Sequence, residues 1–590
     1  MNVDKLKNIV NAASGKKKSK ILFKNGYYVN LFTEKVEKGT ILVEDDTIVA
    51  IGNDNEYEAE KEIDLNGDII VPSFIDSHIH LESGMVSPRN FEKAVLPHGT
   101  QAIICDPHEI TNVLGTKGID YIIQSTSNLI LDVFINIPSC VPSTPLDESG
   151  DILLANNIKQ YYDNERVLGL AELMNFLGTV NADDEIMKKE NDAINANKCI
   201  DGHSPNLSGK GLNAYIASGV QNDHECANME EAIEKLERGM YIQVREGTAC
   251  KNLDALLPMF EEPLYQRALL ACDDIHPGDL IRLGHIDYIV RRAIKNGKDP
   301  IKAIKMGTLN PCIFYNLKRR GAIAPSYLAN FFICDDLQNL NIKEVYYKGE
   351  LVVKDNICLF EEKKEEVDKN ILDKVYNSFH MDEININDIT FNIKKEENKK
   401  LKQRVIEIIP GGVLTNELIF DINEINKEAI GVDTKKDIIK LVNFERHLNT
   451  HHIGHGFIKG YGLKDGAIAS TIAHDSHNLI IVGTNDKDIV FAANTIRKNK
   501  GGLCVVKNGV VLGELPLPIA GIMSDIDVEE VDKILEDLKE KAYSLGVNRS
   551  IDPFMTLAFM ALPVIPNLKL TTLGLVQVEC QKIVPSLYYE

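Results

Sequence analysis

Short apolar runs with β-type alternation open the chain after residue 20 and return much later. Residues 1 to about 20 read as a short helix followed by a basic loop, after which strands are expected around 20–23, 39–44 and 47–52. A matching set is expected around 330–334 and 344–353. Between these flanks, strand-like runs alternate with helical segments, the pattern of a parallel sheet covered by helices. The stretch 361–403 is rich in Lys, Glu, Asp and Asn and has neither Gly nor Pro, so it reads as a polar connection with some strand and helix character. Beyond it, Val528, Val531, Ile534, Leu535, Leu538, Ala542 and Leu545 form one apolar stripe and predict a helix over 528–545. Asp527 with Glu530 is its expected capping pair, and Gly546 its expected C-terminal stop. The segments expected are 1–70, 71–315, 316–360, 361–403 and 404–590.

The apolar run at 71–77 ends on His78-Ile-His80. In a strand, residues i and i+2 face the same side, so the two imidazoles project together, as preferred ligands of divalent transition metals. Further candidate ligands close later apolar runs: Glu172 after 167–171, His203 after 198–202, His224 after 219–223, and Asp273 after 268–272. Six candidate ligands from five strand ends make a constellation where a lone His-x-His would be an ordinary surface pair. Asp106 and His108 close another run in Cys-Asp-Pro-His-Glu, 105–109. Glu82 follows the His-x-His by two residues, and Arg245 with Glu246 ends a seventh run.

At 590 residues the chain exceeds one ordinary domain. The net charge of −22 argues against broad binding to nucleic acid or an anionic membrane. Eleven cysteines occur without Cys-x-x-Cys spacing, which suggests neither a zinc ribbon nor a secreted disulfide framework. With no leader-like apolar region and no apolar span of membrane length, a cytoplasmic protein is expected.

The motif Asp-Ser-His-Ile-His-Leu-Glu-Ser-Gly-Met (76–85) resembles the opening signature of the amidohydrolase superfamily, where His-x-His closes the first strand of a (β/α)8 barrel. With Cys-Asp-Pro-His-Glu-Ile (105–110), Ala-Glu-Leu-Met-Asn (171–175), Asp-Gly-His (201–203), Asp-His-Glu (223–225), Arg-Glu-Gly (245–247) and 464–478, the chain resembles the bacterial adenine deaminase family across almost its whole length. The resemblance implies an α/β fold: a (β/α)8 metal-dependent hydrolase barrel, a flanking β-sandwich built from both flanks, and a C-terminal mixed α/β domain. It implies two divalent metal ions, Mn(II) or Fe(II) ahead of Zn(II), with His78, His80 and Asp273 on one, His203 and His224 on the other, and Glu172 bridging. The implied reaction converts adenine and water to hypoxanthine and ammonia, with Asp273 carrying the proton. Asp106 is expected to steer protons or contact the purine, His108 to contact it, Glu82 to orient a ligand, and Arg245 and Glu246 to bind purine edges, with an internal ion pair as the competing role. A cyclic-amide or lactam hydrolase and a noncatalytic scaffold are the alternative readings. Self-association into a dimer or larger is expected. For His474, His477, His451, His452 and His455, a structural or subunit-contact role is expected.

Overall fold

The computed structural model describes residues 2–53, 56–361, 363, 366–391, 398–410, 413–422 and 430–590. Its centre is a set of eight parallel strands in chain order: β1 (Phe74–Ile79), β2 (Thr100–Cys105), β3 (Asp132–Ile137), β4 (Val167–Leu173), β5 (Cys199–Gly202), β6 (Asn222–Asp223), β7 (Tyr241–Arg245) and β8 (Ala268–Ala271). β1 to β5 pair consecutively as one parallel sheet, and β6 to β8 as another. Hydrogen bonds span both seams. Between β5 and β6, the Gln221 N–H donates to the Ile200 carbonyl at 3.1 Å and Asn222 donates to Asp201 at 2.9 Å. Between β8 and β1, the Asp273 N–H donates to the His78 carbonyl at 3.0 Å. The strands are buried on both faces, which is why they read as apolar runs without alternation. Helices between them bury one stripe each, as in Ile286–Lys295, where Ile286, Ile289, Val290, Ala293 and Ile294 face the core.

The two flanks unite in one nine-stranded sheet, ordered Ile357–Cys358, Glu350–Lys354, Ile342–Tyr347, Phe331–Cys334, Ile69–Pro72, Ser19–Asn30, Lys35–Glu44, Thr47–Gly52, with Ala59–Asp64 also beside Ser19–Asn30. The sandwich expected from the sequence thus takes the form of a single curled sheet. Phe23 meets Tyr346 edge-on, with ring centroids 5.0 Å apart, although two strands lie between theirs.

A second nine-stranded sheet forms the C-terminal part, running from Thr415–Ile422 and Leu401–Ile408 to Gly502–Lys507 and Val510–Pro516. Its strand Leu401–Ile408 begins inside the segment read as a polar connection. That segment also packs inward: Ile371, Val375, Ile384 and Ile389 are buried. The expected helix spans Val528–Ser544 and buries Val528, Val531, Leu535, Leu538 and Ala542. Its Asp527–Glu530 capping pair does not form. The Asp527 carboxylate makes no cap hydrogen bond and lies exposed, 3.6 Å from Lys93. Gly546 follows the helix at φ +101°, the left-handed stop that a residue with a Cβ resists.

The C-terminal part sits over the C-terminal ends of the parallel strands. Backbone hydrogen bonds join Ser524 to Met85 at 2.9 Å and Ser87 to Ser524 at 2.8 Å. Among the described residues, no helix is long and apolar enough to cross a membrane.

Candidate active site

All six expected ligands converge at the strand ends. His78 lies in β1 and His80 just beyond it, Glu172 lies in β4, His203 and His224 directly follow β5 and β6, and Asp273 follows β8 by two residues. Asp273 adopts φ +59°, an unfavourable region for a residue with a Cβ and one that recurs at functional sites. Asp223 anchors two of these loops, accepting from the Ser204 N–H and hydroxyl at 2.8 and 2.5 Å and from the Glu225 N–H at 2.7 Å.

Glu172 occupies the middle of the group. Its Oε2 lies 2.7 Å from His203 Nδ1 and 3.0 Å from His224 Nε2, while Oε1 lies 3.3 Å from His108 Nδ1 and 3.5 Å from His80 Nε2. Asp273 Oδ1 lies 3.0 Å from His80 Nε2 and 3.6 Å from His78 Nε2. The His80 Nδ1 lies 3.0 Å from the Asp106 carbonyl, and a donated hydrogen bond there leaves Nε2 free to ligate.

Burial pushes the Glu172 carboxyl up, but the surrounding imidazoles, His203 foremost, outweigh it and hold the group well below the usual carboxylate range. Asp273 behaves alike: burial opposes its charge, and Arg245 followed by His78 and His80 keeps it ionised. Burial and His108 push the His80 ring down, yet Asp273 and Asp274 more than offset them. His78 goes the other way, because burial and then His224 lower it. Its Nε2 is buried without a hydrogen-bond partner. A basic ring nitrogen without a proton partner, facing carboxylates that attract cations, fits a divalent ion, and the donor set of imidazoles and carboxylates without thiolate suits Mn, Fe or Zn. The trios His78–His80–Asp273 and His78–Glu172–His224 are each close enough to hold an ion.

A cavity of about 570 Å3 opens above this floor. His80, His108, Glu172, His203, His224, Arg245 and Asp273 line it. Glu82 and Glu246 are not among its lining residues. Glu82 turns its Oε1 to the Ile110 N–H at 3.1 Å, and burial raises its carboxyl to about 7. Glu246 is neutralised by Arg292. Arg245 forms an internal ion pair while lining the cavity: Nη1 lies 2.5 Å from both Glu225 Oε1 and Asp273 Oδ2. Asp106 is buried against His108 Nδ1 at 3.4 Å and supports the site from behind.

Sequence reasoning missed Glu109, Glu225 and Asp475, and for His474 and His477 it expected a structural or subunit-contact role. The last two reach the site of their own chain. His474 Nδ1 lies 2.8 Å from Glu109 Oε1, and His477 Nε2 bonds Glu109 Oε2. Burial pushes Glu109 up, but His477, His474 and His108 together hold it well below the usual range. Against burial, Glu109 and Asp274 raise His474 to about 9. Glu109 and Glu225 each directly follow a histidine already singled out, and that adjacency was the available signal.

A family model described as the amidohydrolase family matches residues 69–352, which defines the class of this strand-end site. A second, the adenine deaminase C-terminal domain, matches residues 412–582. Adenine deaminase 2 of Carboxydothermus hydrogenoformans is 44% identical over 98% of this chain and 99% of its own length. The adenine deaminase of Clostridium acetobutylicum is 41% identical, over 96% of this chain and 98% of its own. The chain belongs to the adenine deaminase family. Among solved structures, a beta-aspartyl dipeptidase from Fervidobacterium islandicum is similar at a TM-score of 0.45 and 17% identity, covering 59% of this chain and 100% of that one.

Proposed function

We propose that this protein hydrolyses adenine to hypoxanthine and ammonia, using two divalent metal ions held over the strand ends. The observation that carries the reading is the two-sided setting of Glu172, whose oxygens each face a different pair of imidazoles within 3.5 Å. In this reading His78, His80 and Asp273 would hold one ion, His203 and His224 would hold the other, and Glu172 would serve both. Mn(II) or Fe(II) is favoured over Zn(II) by likeness to the family. The substrate is taken from the names of the relatives, and the eight strands are taken as a (β/α)8 barrel over 71–315, whose strand ends carry the chemistry.

When bound, the paired ions would lower the pKa of a water so that hydroxide is available at neutral pH. The chain's own groups do the rest. Asp273 accepts the proton of the attacking water and returns it to the purine or the departing amine, with Arg245 on Oδ2 fixing the orientation of the carboxylate. Asp106 acts through His80 and His108, keeping their rings turned toward Glu172. Val413, Leu414, Phe559, Leu562, Val564 and Ile565 roof the cavity and keep bulk water out. A cytoplasmic setting accords with eleven cysteines, none of them paired.

Ammonia release by protein reloaded with Mn(II) or Fe(II) under reducing conditions, on adenine and on a panel of cyclic amides, tests this. Two ions per chain and turnover of adenine alone are expected. Hydrolysis of the amides in place of adenine would move the chain to the lactam reading, and a protein without bound metal to the scaffold reading. Glu172→Gln keeps the shape but loses the bridging charge, so metal content and turnover should both fall; full occupancy with unchanged turnover would refute the bridge.

A further inference from the structure

Asp475 is a buried carboxyl group to which the protein supplies no hydrogen bond. It lies between the C-terminal strands Ala467–Ser470 and Leu479–Gly483, is 5% exposed, and lines the cavity. Its Oδ2 has no partner, and Oδ1 lies 3.9 Å from His108 Nε2, beyond hydrogen-bond reach. Three other buried carboxylates around it are answered, Glu109 by His474 and His477, Glu172 by His203 and His224, Asp273 by Arg245 and His80, while Asp106, which meets His108 through Oδ2, has like Asp475 one oxygen without a partner. Leaving such a group out of water without a donor is unfavourable, so its partner is expected to arrive with the ligand.

We propose that Asp475 is a substrate-recognition residue, accepting a hydrogen bond from the imidazole-ring N–H of a free purine base and setting the preference for that base over N9-substituted purines. The proposal rests on the adenine reading above. Adenine offers two kinds of N–H donor: the exocyclic amine on the reacting carbon, and one N–H on the five-membered ring. The reacting carbon must lie against Glu172 and Asp273. Asp475 stands on the far side of the His108 ring from Glu172, since His108 Nδ1 faces Glu172 at 3.3 Å and Nε2 faces Asp475. One imidazole ring with its contacts on either side spans a distance comparable to a purine, which lets a base engaged at Glu172 present its remaining N–H to Asp475. A carboxylate oxygen offers an acceptor to that N–H, as the Oδ2 left without a partner does here. A substituent at N9 deletes the donor and sets carbon against the carboxylate, leaving the buried charge unmatched. The strand ends then read the reacting end of the base, and the C-terminal part reads the other.

The test is kcat/KM for adenine and for 9-methyladenine in wild type, Asp475→Ala and Asp475→Asn, with metal content measured and hypoxanthine binding followed by calorimetry. Hypoxanthine keeps the imidazole N–H and reports recognition without turnover. The alanine variant should lose about 10- to 100-fold in kcat/KM for adenine, mainly through KM, as expected for one hydrogen bond to a charged group. Its preference for adenine over 9-methyladenine should narrow by the same factor, with hypoxanthine bound more weakly and metal retained. The asparagine variant keeps an acceptor oxygen without the charge, should fall between the two, and serves if the alanine variant does not fold. Wild-type selectivity and hypoxanthine affinity in the variants would overturn the assignment, as would an equal loss on both substrates accompanied by loss of metal. Failure of the metal-loaded wild type to turn over adenine would instead refute the adenine reading itself, before any variant is compared.

Discussion

The floor and the roof of the cavity are built on different physics. On the floor, Glu172, Arg245 and Asp273 are buried with the half-buried Glu225 beside them, and each of these charges is met by an opposite charge or an imidazole. The roof is apolar apart from His474 and Asp475, and it is held by backbone ties. Thr415 accepts the Asn567 N–H at 3.2 Å and donates to the Leu568 carbonyl at 2.9 Å, while Lys569 donates to the carbonyls of Val413 at 2.8 Å and Phe559 at 3.0 Å. Electrostatic order is thus concentrated where charge must develop in a reaction, and apolar cover where water must be excluded. Floor substitutions should change turnover with little effect on the roof, and roof substitutions should act on stability and access.

The largest expected effect is on the floor. Asp273→Asn keeps an oxygen for a metal but cannot accept a proton, so adenine turnover should fall by roughly 10² to 10⁴ with metal retained. Asp274, whose Oδ1 is bonded by the Ser83 hydroxyl, lines the cavity without facing His78, and Asp274→Asn should be milder. Steady-state rates with metal analysis for both variants decide this. An inactive Asp274→Asn beside an active Asp273→Asn would shift the catalytic assignment by one residue.

Glu109 joins the two regions, since the second strand end supplies it and the C-terminal part supplies His474 and His477. Glu109→Gln presents an amide that cannot accept from both rings with both of its termini. Turnover should drop about 10- to 100-fold, the range for groups that orient reacting side chains. Amide exchange over 472–478 should speed up if the joint is broken. Unchanged exchange with unchanged turnover would separate floor from roof altogether.

How much of this was legible in the sequence follows the same division. The strand ends are local signals: ligand-type residues at the close of apolar runs, each readable within ten residues, and all six converge. Adjacency misled where it said nothing about direction. Glu82 is two residues from His80 yet turns to Ile110, and Glu246 is next to Arg245 yet turns to Arg292. The joint was unreadable because Glu109 meets His474 and His477 across 365 and 368 residues, and no periodicity encodes a pairing of that separation. Asp527 shows the reverse case, a correct helix whose expected side-chain cap does not form.

The smallest effect expected concerns the roof and its pH dependence. Lys569 is buried with only carbonyls as partners, and burial lowers its ammonium from the ordinary 10.5 to about 7. Between those values the unfolded chain holds a proton that the folded chain has released, so unfolding takes up protons and stability rises with pH across the window. Below about pH 7 the folded state carries the full cost of a buried charge, and above 10.5 none of it. Lys569→Met removes this linkage along with the two hydrogen bonds. Wild type should therefore gain stability relative to the variant as pH rises from 7 to 9, at up to about 1.4 kcal/mol per pH unit. Denaturant midpoints of the metal-loaded proteins at several pH values measure the difference, and comparison of the two proteins cancels every other titrating group. A constant difference from pH 7 to 9 would mean that Lys569 stays charged in the folded protein, so that the roof, like the floor, is held by a satisfied charge and the contrast between them fails at this point.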